Sequence, residues 1–586
     1  MNKGAVQHLA GGNFAFPLDQ ETLMLRLKAA RGDLKQVQVI YGSRFPEDGL
    51  DPSRAKEMDL IASDQEYDYF QTTIQLSDAR FRYHFWLDDG KEQYWYNEEG
   101  FFLNRPRGFD SGFFSFPCIN HNDIYRAPAW VRDAVFYQIF PERFYNGDQN
   151  NDPVTVQPWG GKPASDSFFG GDLAGIIAKL SYLKELGINA LYLTPVFNSP
   201  SNHKYNIDDY YRIDPGFGDL ETARELVNQA HRQGIRVVFD AVYNHSGFDF
   251  FAFRDLREKG PDSPYLDWFQ IDSLPLRTNP PLNYRTFANH IVDMPKLNTS
   301  NPAVQQYLLD SARYWVEELD LDGWRLDVAD EVDHQFWKKF RRELKAVKAD
   351  LYLVGEIWHN ANQWLQGDEF DGTMNYNLSR IIFDFFAKDR SGPGLFASRL
   401  TSNWMRYQNE VNYYLLNLLD SHDTARIANI FGGEREKMKL AILFQLTYPG
   451  VPMIYYGDEI GLTGGNDPDC RGCMVWEKDK QDQELFKYYQ KLIKIRHELT
   501  PLRRGSFTTI LADDLNNLYG FKMVEKDQVV VVIINNSPHH QQVNLPADRI
   551  SFEQAELQDQ LSGICYPLVN NTFTLDVLPF QGLILK

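Results

Sequence analysis

The first part of the chain alternates short apolar runs with polar turns. Their apolar residues recur near every second position, in runs such as LMLRLKA, QVQVIYG, YFQTTIQL and RYHFWLDD. A period of two is typical of strands that bury one face. The pattern therefore predicts an N-terminal antiparallel β-sandwich domain over residues 1–125.

From residue 126 the pattern changes to apolar strands separated by helical stretches such as LAGIIAKLSYLKELG. The eight strand candidates are AVFYQIF, INALYLTP, IRVVFDAV, GWRLDV, LYLVGEI, a short segment near GTMNYN, YYLLNLLD and VPMIYYG. This alternation predicts an α/β fold, a closed (β/α)8 TIM barrel over residues 126–504. An open doubly wound sheet is the main alternative, but it normally carries a glycine-rich phosphate turn after its first strand. AVFYQIFPERF has no such turn.

Two further segments complete the predicted organisation. The connection after the third strand, about residues 244–319, is longer than one helix and contains PDSPY and TNPPLN, which predicts an inserted loop subdomain over the barrel. From residue 505, GSFTTILADD and QVVVVIINN return to strand alternation. We therefore expect a C-terminal β-sandwich over residues 505–586.

Composition narrows the expected partners and compartment. No apolar run reaches the ~20 residues of a membrane span, and the first thirty residues lack an apolar core followed by a small-residue cleavage site, so we expect a cytoplasmic protein. A net charge of −20 disfavours nucleic acid and anionic membrane surfaces as partners and favours a neutral or cationic ligand. The 14% aromatic content suits a site that stacks on apolar ring faces.

The four cysteines do not form a disulfide framework in a chain of this length. Two of them form the stretch CRGC, Cys470 and Cys473. A second ligand pair at zinc spacing is missing. We therefore expect no zinc or redox centre there.

Candidate chemistry gathers where the predicted strands end. Strand three ends at Asp240, strand four at Asp327 and strand five at Glu356, while strand seven runs into DSHD, which ends at Asp423. The C-terminal strand ends of a parallel barrel share one rim, where its active sites lie. Helix capping by Asp is the plainer explanation, but it does not explain Glu356 or the adjacent His422 and Asp423.

The stretch GWRLDVAD places Arg325 and Asp327 on the same face of a strand. A nearby guanidinium lowers an Asp pKa by roughly 1–3 units, so we expect an ionised Asp327, although a structural ion pair is an alternative. Retaining glycosidases need one ionised carboxylate and one protonated acid. Asp327 suits the first role, and Glu356, whose pKa apolar neighbours would raise, suits the second.

Asp423 is then a third carboxylate that grips substrate hydroxyls, with His245 and His422 as donors near the cleavage point. Metal-assisted hydrolysis by His245, His422 and Asp240 is an open alternative, and it predicts inactivation by chelators.

Taken together, DAVYNH, GWRLDV, GEIW and LLDSHD resemble the ordered motif set of the α-amylase superfamily. MPKLN and EVDHQFW are similar to the group of neopullulanases, cyclomaltodextrinases and maltogenic amylases, and the resemblance covers essentially the whole chain. It implies a retaining α-glucan hydrolase with Asp327 as nucleophile, Glu356 as acid/base and Asp423 as transition-state stabiliser.

The resemblance also implies a set of substrate contacts around these three carboxylates. By matching motif they are His245, Arg325 and His422 around the cleaved bond, Tyr205 beneath the sugar, Asp467 and Arg471 on the donor side, and Phe287, Glu331 and Trp358 on the acceptor side. One position departs from the group, which often has Asn where this chain has Asp330. An extra negative charge there would alter acceptor preference or the balance of hydrolysis and transglycosylation.

Two segments, NGDQNNDP and FFGGD, offer hard oxygen ligands that suit Ca²⁺. An Asx-rich turn explains the first segment equally well on its own. The group resembled carries a calcium site on these two segments. The resemblance therefore implies a structural Ca²⁺ held by Asn146, Asp148, Asn151, Asp152, Gly170 and Asp172.

By the same resemblance the N-terminal domain takes part in a homodimer and narrows the partner's cleft. A narrow cleft favours cyclodextrins, maltooligosaccharides and pullulan over starch granules. Two alternatives are a catalytically silent carbohydrate-binding protein and another α-glucan transferase of the superfamily. The first predicts the loss of one of the three carboxylates, and all three are present.

Overall fold

The computed structural model describes residues 1–45, 54–106, 112–550 and 555–586. The chain forms two compact units. The first comprises Met1–Arg126, Asn360–Asp368 and Ser391–Asn412, and the second comprises Ala127–His359, Glu369–Arg390 and Tyr413–Lys586. No helix of the described ranges combines the length and apolar character needed to cross a membrane.

The N-terminal part of the first unit is built from two antiparallel sheets. Its strands are β1 (Ala15–Pro17), β2 (Thr22–Ala30), β3 (Gln36–Ser43), β4 (Arg54–Glu57), β5 (Asp59–Ser63), β6 (Tyr67–Gln75), β7 (Phe81–Asp88), β8 (Gln93–Asn97), β9 (Gly100–Phe102) and β10 (Phe114–Phe116). One sheet has the order β1-β2-β6-β5, and the other has the order β4-β3-β7-β8-β9 with β10 on β7.

The period of two in the sequence places one face of each sheet in a shared core. Leu23, Leu25 and Leu27 of β2 are fully buried, as are Phe81 and Phe85 of β7. Burying a side chain of this size contributes about 1.5–3 kcal/mol. The predicted N-terminal β-sandwich is confirmed.

The second unit begins with strands and helices that alternate along the chain. Its strands are β11 (Phe136–Ile139), β12 (Ala190–Leu193), β13 (Phe197–Asn198), β14 (Asp209–Ile213), β15 (Arg236–Ala241), β16 (Gly323–Leu326), β17 (Tyr352–Gly355), β18 (Gly372–Thr373), β19 (Leu416–Leu418) and β20 (Val451–Tyr455). The helices over this range are α1 (Leu173–Leu186), α2 (Leu220–Arg232), α3 (Phe251–Lys259), α4 (Pro302–Leu319), α5 (His334–Val347), α6 (Tyr376–Phe386), α7 (Pro393–Trp404), α8 (Ile427–Ile430), α9 (Arg435–Thr447) and α10 (Gln483–Glu498).

Eight of these strands form one parallel sheet in the order β18-β17-β16-β15-β12-β11-β20-β19. A parallel bridge between Met374 and Leu416 joins its two ends, and the Asn375 amide donates to the Leu416 carbonyl at 2.8 Å. These contacts close the sheet into the predicted barrel. The eight strand candidates of the sequence are all present.

The segment inserted after β15 ends earlier than the sequence indicated. Its predicted end was about residue 319, but residues Pro302–Leu319 form α4, which is the helix between β15 and β16. Asn301 caps this helix by accepting from the Ala303 amide at 2.8 Å, and Pro302 occupies its first turn. The inserted segment therefore runs from residue 244 to residue 301.

The C-terminal part of the second unit contains two four-stranded antiparallel sheets. Its elements are α11 (Pro501–Arg504), β21 (Ser506–Asp513), β22 (Leu518–Glu525), β23 (Gln528–Asn535), β24 (Gln541–Pro546), α12 (Ala547–Ile550), β25 (Glu556–Gln558), β26 (Cys565–Val569), β27 (Thr572–Val577) and β28 (Gln581–Leu585). The sheet orders are β21-β22-β23-β28 and β24-β27-β26-β25. Val531 and Ile533 of β23 are fully buried between them.

Candidate active site

A cleft of about 550 Å³ opens at the C-terminal ends of the barrel strands. It brings together ten of the residues that the sequence predicted for catalysis and substrate binding, which are Tyr205, His245, Phe287, Asp327, Glu331, Glu356, Trp358, Asp423, Asp467 and Arg471. The other two, Arg325 and His422, are fully buried behind this surface. These two side chains act on the cleft by contacting carboxylates that line it.

Arg325 joins three carboxylates that come from three neighbouring strands. Its Nη1 donates to Asp327 Oδ1 at 2.7 Å and to Asp240 Oδ2 at 3.0 Å, and its Nη2 contacts Glu356 Oε2 at 2.8 Å. The parallel register explains the arrangement, because Asp240 pairs with Arg325 across β15 and β16. One guanidinium therefore holds Asp327 and Glu356 side by side at the base of the cleft.

The electrostatics of this cluster differ from the sequence-based expectation. Burial raises the pKa of Asp327 well above its usual value, which Arg325 opposes and which the charges of Glu356 and Asp240 increase. Burial likewise raises the pKa of Asp240 to about 6. Arg325 does lower the pKa of Asp327, but burial and the two neighbouring carboxyl groups outweigh it, so the expected net lowering is wrong. Buried carboxyl groups that interact this strongly titrate as a set.

Glu356 is surrounded by hydrogen-bond donors as well as by apolar groups. Besides Arg325, the Val328 amide donates to Oε2 and the Trp358 indole Nε1 donates to Oε1, both at 3.1 Å. The Trp358 ring stacks on Tyr376 with ring centroids 3.6 Å apart. Hydrogen-bond donors therefore accompany the apolar neighbours expected for Glu356, and they hold its carboxyl group in a fixed orientation.

Asp423 lies beside a second cation, Arg471. Its Oδ1 contacts Arg471 Nη2 at 3.3 Å and its Oδ2 contacts His422 Nε2 at 3.2 Å. Arg471 also donates from Nε to the His422 carbonyl at 2.9 Å and contacts Asp467 at 3.2 Å. Arg471 thereby ties the loop that carries Asp423 to the segment that carries Asp467.

His422 is held as a neutral imidazole. Burial and the charges of Arg471 and Arg325 place its pKa well below the usual value. Gln138 Nε2 donates to its Nδ1 at 2.7 Å, so the proton lies on Nε2, which is 2.6 Å from the Tyr205 hydroxyl. Both ring nitrogens have protein partners, which leaves His422 unable to act as the metal ligand of the alternative hydrolysis.

Tyr205 and His245 line the cleft beside these groups. The Tyr205 ring lies parallel to His422 at 5.3 Å, and its hydroxyl donates to Asp240 at 2.9 Å. Burial lowers the pKa of His245 to about 3, and its ring packs on Phe287 at 5.2 Å. Within the described ranges, His245 Nε2 is buried without a hydrogen-bond partner. A buried polar atom of this kind calls for a ligand.

A salt bridge and a histidine–carboxylate contact border the part of the cleft that Glu331 lines. Glu331 contacts Lys296 at 2.7 Å, and Asp330, the position that departs from the group, contacts His359 at 3.0 Å. Sequence reasoning missed Lys296 and three lining residues, which are His203, Met294 and Val328. A signal was present for all four, since SNHKYN contains His203, MPKLN contains Met294 and Lys296, and GWRLDV contains Val328.

The six residues predicted for calcium come together between β11 and α1. Asn146 donates to Asp152 at 2.7 Å, Asn151 donates to Asp172 at 3.0 Å, and the Asp148 amide donates to Asp172 at 2.9 Å. A Cβ on Gly170 would lie 2.2 Å from Asp152 Oδ1. Asp172 also caps α1 by accepting from the Gly175 amide at 2.6 Å.

This cluster fits a hard cation in one specific respect. The Oδ1 atoms of Asn146 and Asn151 are buried without a hydrogen-bond partner among the described residues. The set combines three carboxylates with two side-chain amides and one backbone carbonyl, and within the described ranges no group of three or more His, Cys, Asp or Glu side chains alone has the arrangement to hold a metal ion. Two unpartnered amide oxygens beside carboxylates are the donor chemistry that Ca²⁺ prefers.

Two family models match the chain. The α-amylase catalytic domain matches residues 138–505, and the α-amylase N-terminal Ig-like domain matches residues 1–120.

Individual proteins match over nearly the whole length. A cyclomaltodextrinase from Thermoanaerobacter pseudethanolicus is 48% identical over 92% of this chain and 93% of its own. Neopullulanase 2 from Thermoactinomyces vulgaris is 44% identical over 99% of both chains. The solved structure of a cyclomaltodextrinase superposes with a TM-score of 0.94 at 40% identity and covers 100% of both chains. The chain is therefore an α-glucan hydrolase that belongs to the α-amylase family.

Proposed function

We propose that this chain cleaves α-1,4-glucosidic bonds of cyclodextrins, maltooligosaccharides and pullulan with retention of configuration. The observation that carries this proposal is the Arg325 guanidinium, which holds Asp327 and Glu356 on adjacent nitrogens at 2.7 and 2.8 Å. Retaining glycosidases need their two carboxyl groups about 5–5.5 Å apart, and carboxylates bound to one guanidinium lie at short range. Cleavage of α-1,6 bonds and transglycosylation belong to the same proposal.

In the first step a protonated Glu356 donates its proton to the glycosidic oxygen. An Asp327 carboxylate oxygen attacks the anomeric carbon, so the bond to the leaving sugar breaks as the ester bond forms. In the second step Glu356 takes a proton from water, whose oxygen attacks the same carbon and releases Asp327.

The remaining cleft residues bind and orient the sugar in this proposal. Asp423 grips its hydroxyls and stabilises the positive charge that develops at the anomeric carbon, and His245 donates a hydrogen bond beside it. His422, expected as a second donor, instead orients Tyr205 and Asp423 through its Nε2. Tyr205 stacks beneath the ring. The donor side is formed by Asp467 and Arg471, and the acceptor side is formed by Phe287, Glu331 and Trp358.

The test compares initial rates and product anomers on β-cyclodextrin, pullulan and soluble starch. Retention predicts that the first products are α-anomers, which NMR detects before mutarotation. We expect β-cyclodextrin to be cleaved faster than starch. First products in the β form would overturn the retaining mechanism, and equal rates on all three substrates would overturn the narrow specificity.

We also propose a structural calcium ion held by Asn146, Asp148, Asn151, Asp152, Gly170 and Asp172. Its support is the pair of unpartnered amide oxygens on Asn146 and Asn151. A ligand that binds only the folded state at a hundred times its dissociation constant adds about 2.7 kcal/mol of stability. Calcium should therefore raise the melting temperature of chelator-treated protein, and Asn151→Ala should abolish this rise. Asn544→Ala, at an exposed position of β24, should keep it.

We further propose that the protein is a homodimer, with its first unit at the interface. Several large apolar side chains of this unit are exposed, which supports an interaction surface; they are Leu9, Phe45, Leu60 and Leu103. Sedimentation velocity should show a dimer, and Leu103→Asp should shift it towards monomer. A monomer at all accessible concentrations would contradict the proposal.

A cytoplasmic location is part of the proposed function. All four cysteines are free, and Cys470 and Cys473 are buried thiols whose pKa burial raises. Free thiols persist in a reducing compartment. Cell fractionation tests the location, and recovery of the protein outside the cytoplasm would contradict it.

A further inference from the structure

A second cavity, of about 540 Å³, lies between the segment that follows β11 and the segment that follows β20. We call it the aromatic pocket. Its apolar wall consists of Tyr145, Trp159, Phe169 and Trp476. Among the described residues, the aromatic pocket and the catalytic cleft have no lining residue in common.

The aromatic rings of the pocket are held in place before any ligand binds. The Trp159 indole donates to the Met474 carbonyl at 3.0 Å, and the Trp476 indole donates to the Phe144 carbonyl at 2.7 Å. The plane of the Tyr145 ring is inclined by 69° to that of Trp159 and by 81° to that of Trp476. The rings therefore form a bent wall and not a flat one. Fixed rings lose little side-chain entropy on binding, which favours affinity.

The rim and the charge of the pocket favour a neutral, hydroxyl-rich ligand. Gln149, Gln157 and Glu477 lie on its exposed border and offer the donors and acceptors that pairs of hydroxyls need. The lining contains no Lys or Arg. The nearby Lys179 ammonium already lies over the Tyr145 and Trp476 rings, at 3.9 and 4.2 Å, and the chain carries a net charge of −20. The other cation at the rim, Lys480, is paired with the Glu477 carboxylate at 2.9 Å, so neither ammonium is left to neutralise an anionic ligand.

We propose that the aromatic pocket binds α-glucan oligosaccharides as a second site outside the catalytic cleft. The apolar faces of glucose rings stack on aromatic side chains, and their hydroxyls bond to carboxamides and carboxylates. The inference rests on the proposed function, because it takes the ligand from the same chemical class as the substrate.

The location of the pocket lets a bound glucan serve the cleft. Arg143 stacks on Phe169 of the pocket at 4.7 Å and donates to the carbonyl of Arg471, a cleft residue, at 2.9 Å. The two cavities therefore lie on the same rim of the barrel, separated by about one layer of side chains. When part of a glucan chain is held in the pocket, the local concentration of its free part near the cleft rises.

Calorimetry with maltoheptaose and β-cyclodextrin tests the proposal on full-length Glu356→Gln protein, which binds sugars without turnover. We expect two classes of site per chain. Adding Trp159→Ala should weaken one class about tenfold, since one ring contact and its apolar area are lost, and adding Gln157→Ala should weaken it about threefold. Val154→Ala, at a fully exposed position outside the pocket lining, should leave both classes unchanged.

Kinetics of the otherwise unchanged enzyme give an independent readout. Trp159→Ala should raise KM for soluble starch about threefold or more and leave kcat/KM for maltotriose within about twofold, because only a long chain reaches both cavities. If this variant fails to fold, Gln157→Ala, at an exposed side chain, carries the test with the same direction of change.

Two results would overturn the inference. One is a single class of site in Glu356→Gln, and the other is an unaltered second class in the folded Trp159→Ala and Gln157→Ala variants. An enzyme that cleaves maltotriose but binds one oligosaccharide per chain keeps the proposed function and loses only this site. A protein that cleaves no glucan loses the proposed function instead.

Discussion

Val328 adopts a backbone conformation that β-branched residues rarely hold, with φ 42° and ψ 47°. The left-handed region costs an L-residue about 1–2 kcal/mol, and such strain concentrates at functional sites. The conformation follows directly after Asp327 and turns the Val328 amide towards Glu356 Oε2. The strained residue thereby links the two carboxyl groups proposed for catalysis.

At position 328 the glycine variant should be more stable than the alanine variant, which is the reverse of their usual order. Both substitutions remove the isopropyl group, but only glycine tolerates the left-handed conformation without strain. We expect Val328→Gly to exceed Val328→Ala in free energy of unfolding by about 1 kcal/mol, measured by urea denaturation. A more stable alanine variant would mean that residue 328 does not hold a positive φ in solution.

Asp327→Asn should lower kcat on maltotriose by at least about a thousandfold, because an amide cannot form the glycosyl ester. Asp330→Asn is the matched control, since it makes the same isosteric change in the same cleft, and its kcat should stay within about threefold. Steady-state kinetics with circular dichroism as a check of folding measure both. Turnover of Asp327→Asn within tenfold of the original enzyme would refute the nucleophile assignment.

The sequence predicted which residues reach the cleft better than it predicted their charge states. Spacing alone placed Arg325 beside Asp327, because strand residues two apart share a face. It could not show that Asp240 and Glu356 would contact the same guanidinium, since those contacts depend on the register between strands. The sequence therefore predicted a lowered pKa for Asp327, whereas the pKa in the structure is raised.

At the scale of elements, Arg426 holds the loops after β19 and β20 together beneath the cleft. Its guanidinium donates to the Cys470 carbonyl at 2.9 Å and to the Tyr456 carbonyl at 2.7 Å, and it pairs with Asp458 at 3.2 Å. The same two loops carry Asp423 and Arg471, so the buried cation positions both.

Arg426→Met should destabilise the protein by about 3–5 kcal/mol, because it removes the cation beside the buried carboxyl groups of Asp420 and Asp458. Arg435→Met is the control, since Arg435 also pairs with two carboxylates, Asp482 and Glu484, but at the surface. Arg435→Met should lower the free energy of unfolding by less than about 1 kcal/mol. Thermal and urea unfolding measure the difference, and equal costs would show that Arg426 has no special positioning role.

Element prediction succeeded where each apolar run matched one strand of the barrel or of a sandwich. The prediction failed for residues 391–412, which it assigned to the barrel domain. Helix α7 has the same apolar periodicity as a barrel helix, yet its segment belongs to the first unit. The buried Arg26 donates to the carbonyls of Met405 and Tyr407 at 3.0 and 3.1 Å. These long-range contacts leave no signal in local sequence.

At the scale of the whole molecule, buried neutral histidines set the response of stability to acid. Burial lowers the pKa of His8 to about 4, and that of His203 and His245 to about 3. Each gains a proton on unfolding at a pH below its ordinary value of 6.5. Acid therefore favours the unfolded chain while carboxylates on the surface are still ionised.

His8 isolates this effect in the core of the first unit. Its Nδ1 contacts the Arg26 carbonyl at 2.7 Å and its Nε2 contacts the Tyr83 hydroxyl at 2.9 Å, and the Phe85 and Phe114 rings lie 4.7 Å from its own. These apolar rings offer no counter-charge to an imidazolium. The site thus stabilises only the neutral form.

The contribution of His8 to stability should be complete above pH 6.5 and should be lost as the pH falls to about 4, because over this range the unfolded chain binds the extra proton. The total loss is roughly 3 kcal/mol. Asp240, whose pKa is raised to about 6, titrates with the opposite sign in this range, so the measurement compares variants. Urea unfolding followed through the first unit should show a shallower pH dependence in His8→Gln and an unchanged one in His121→Gln, at an exposed position of the same unit. Equal slopes in the two variants would mean that His8 is already protonated in the folded protein.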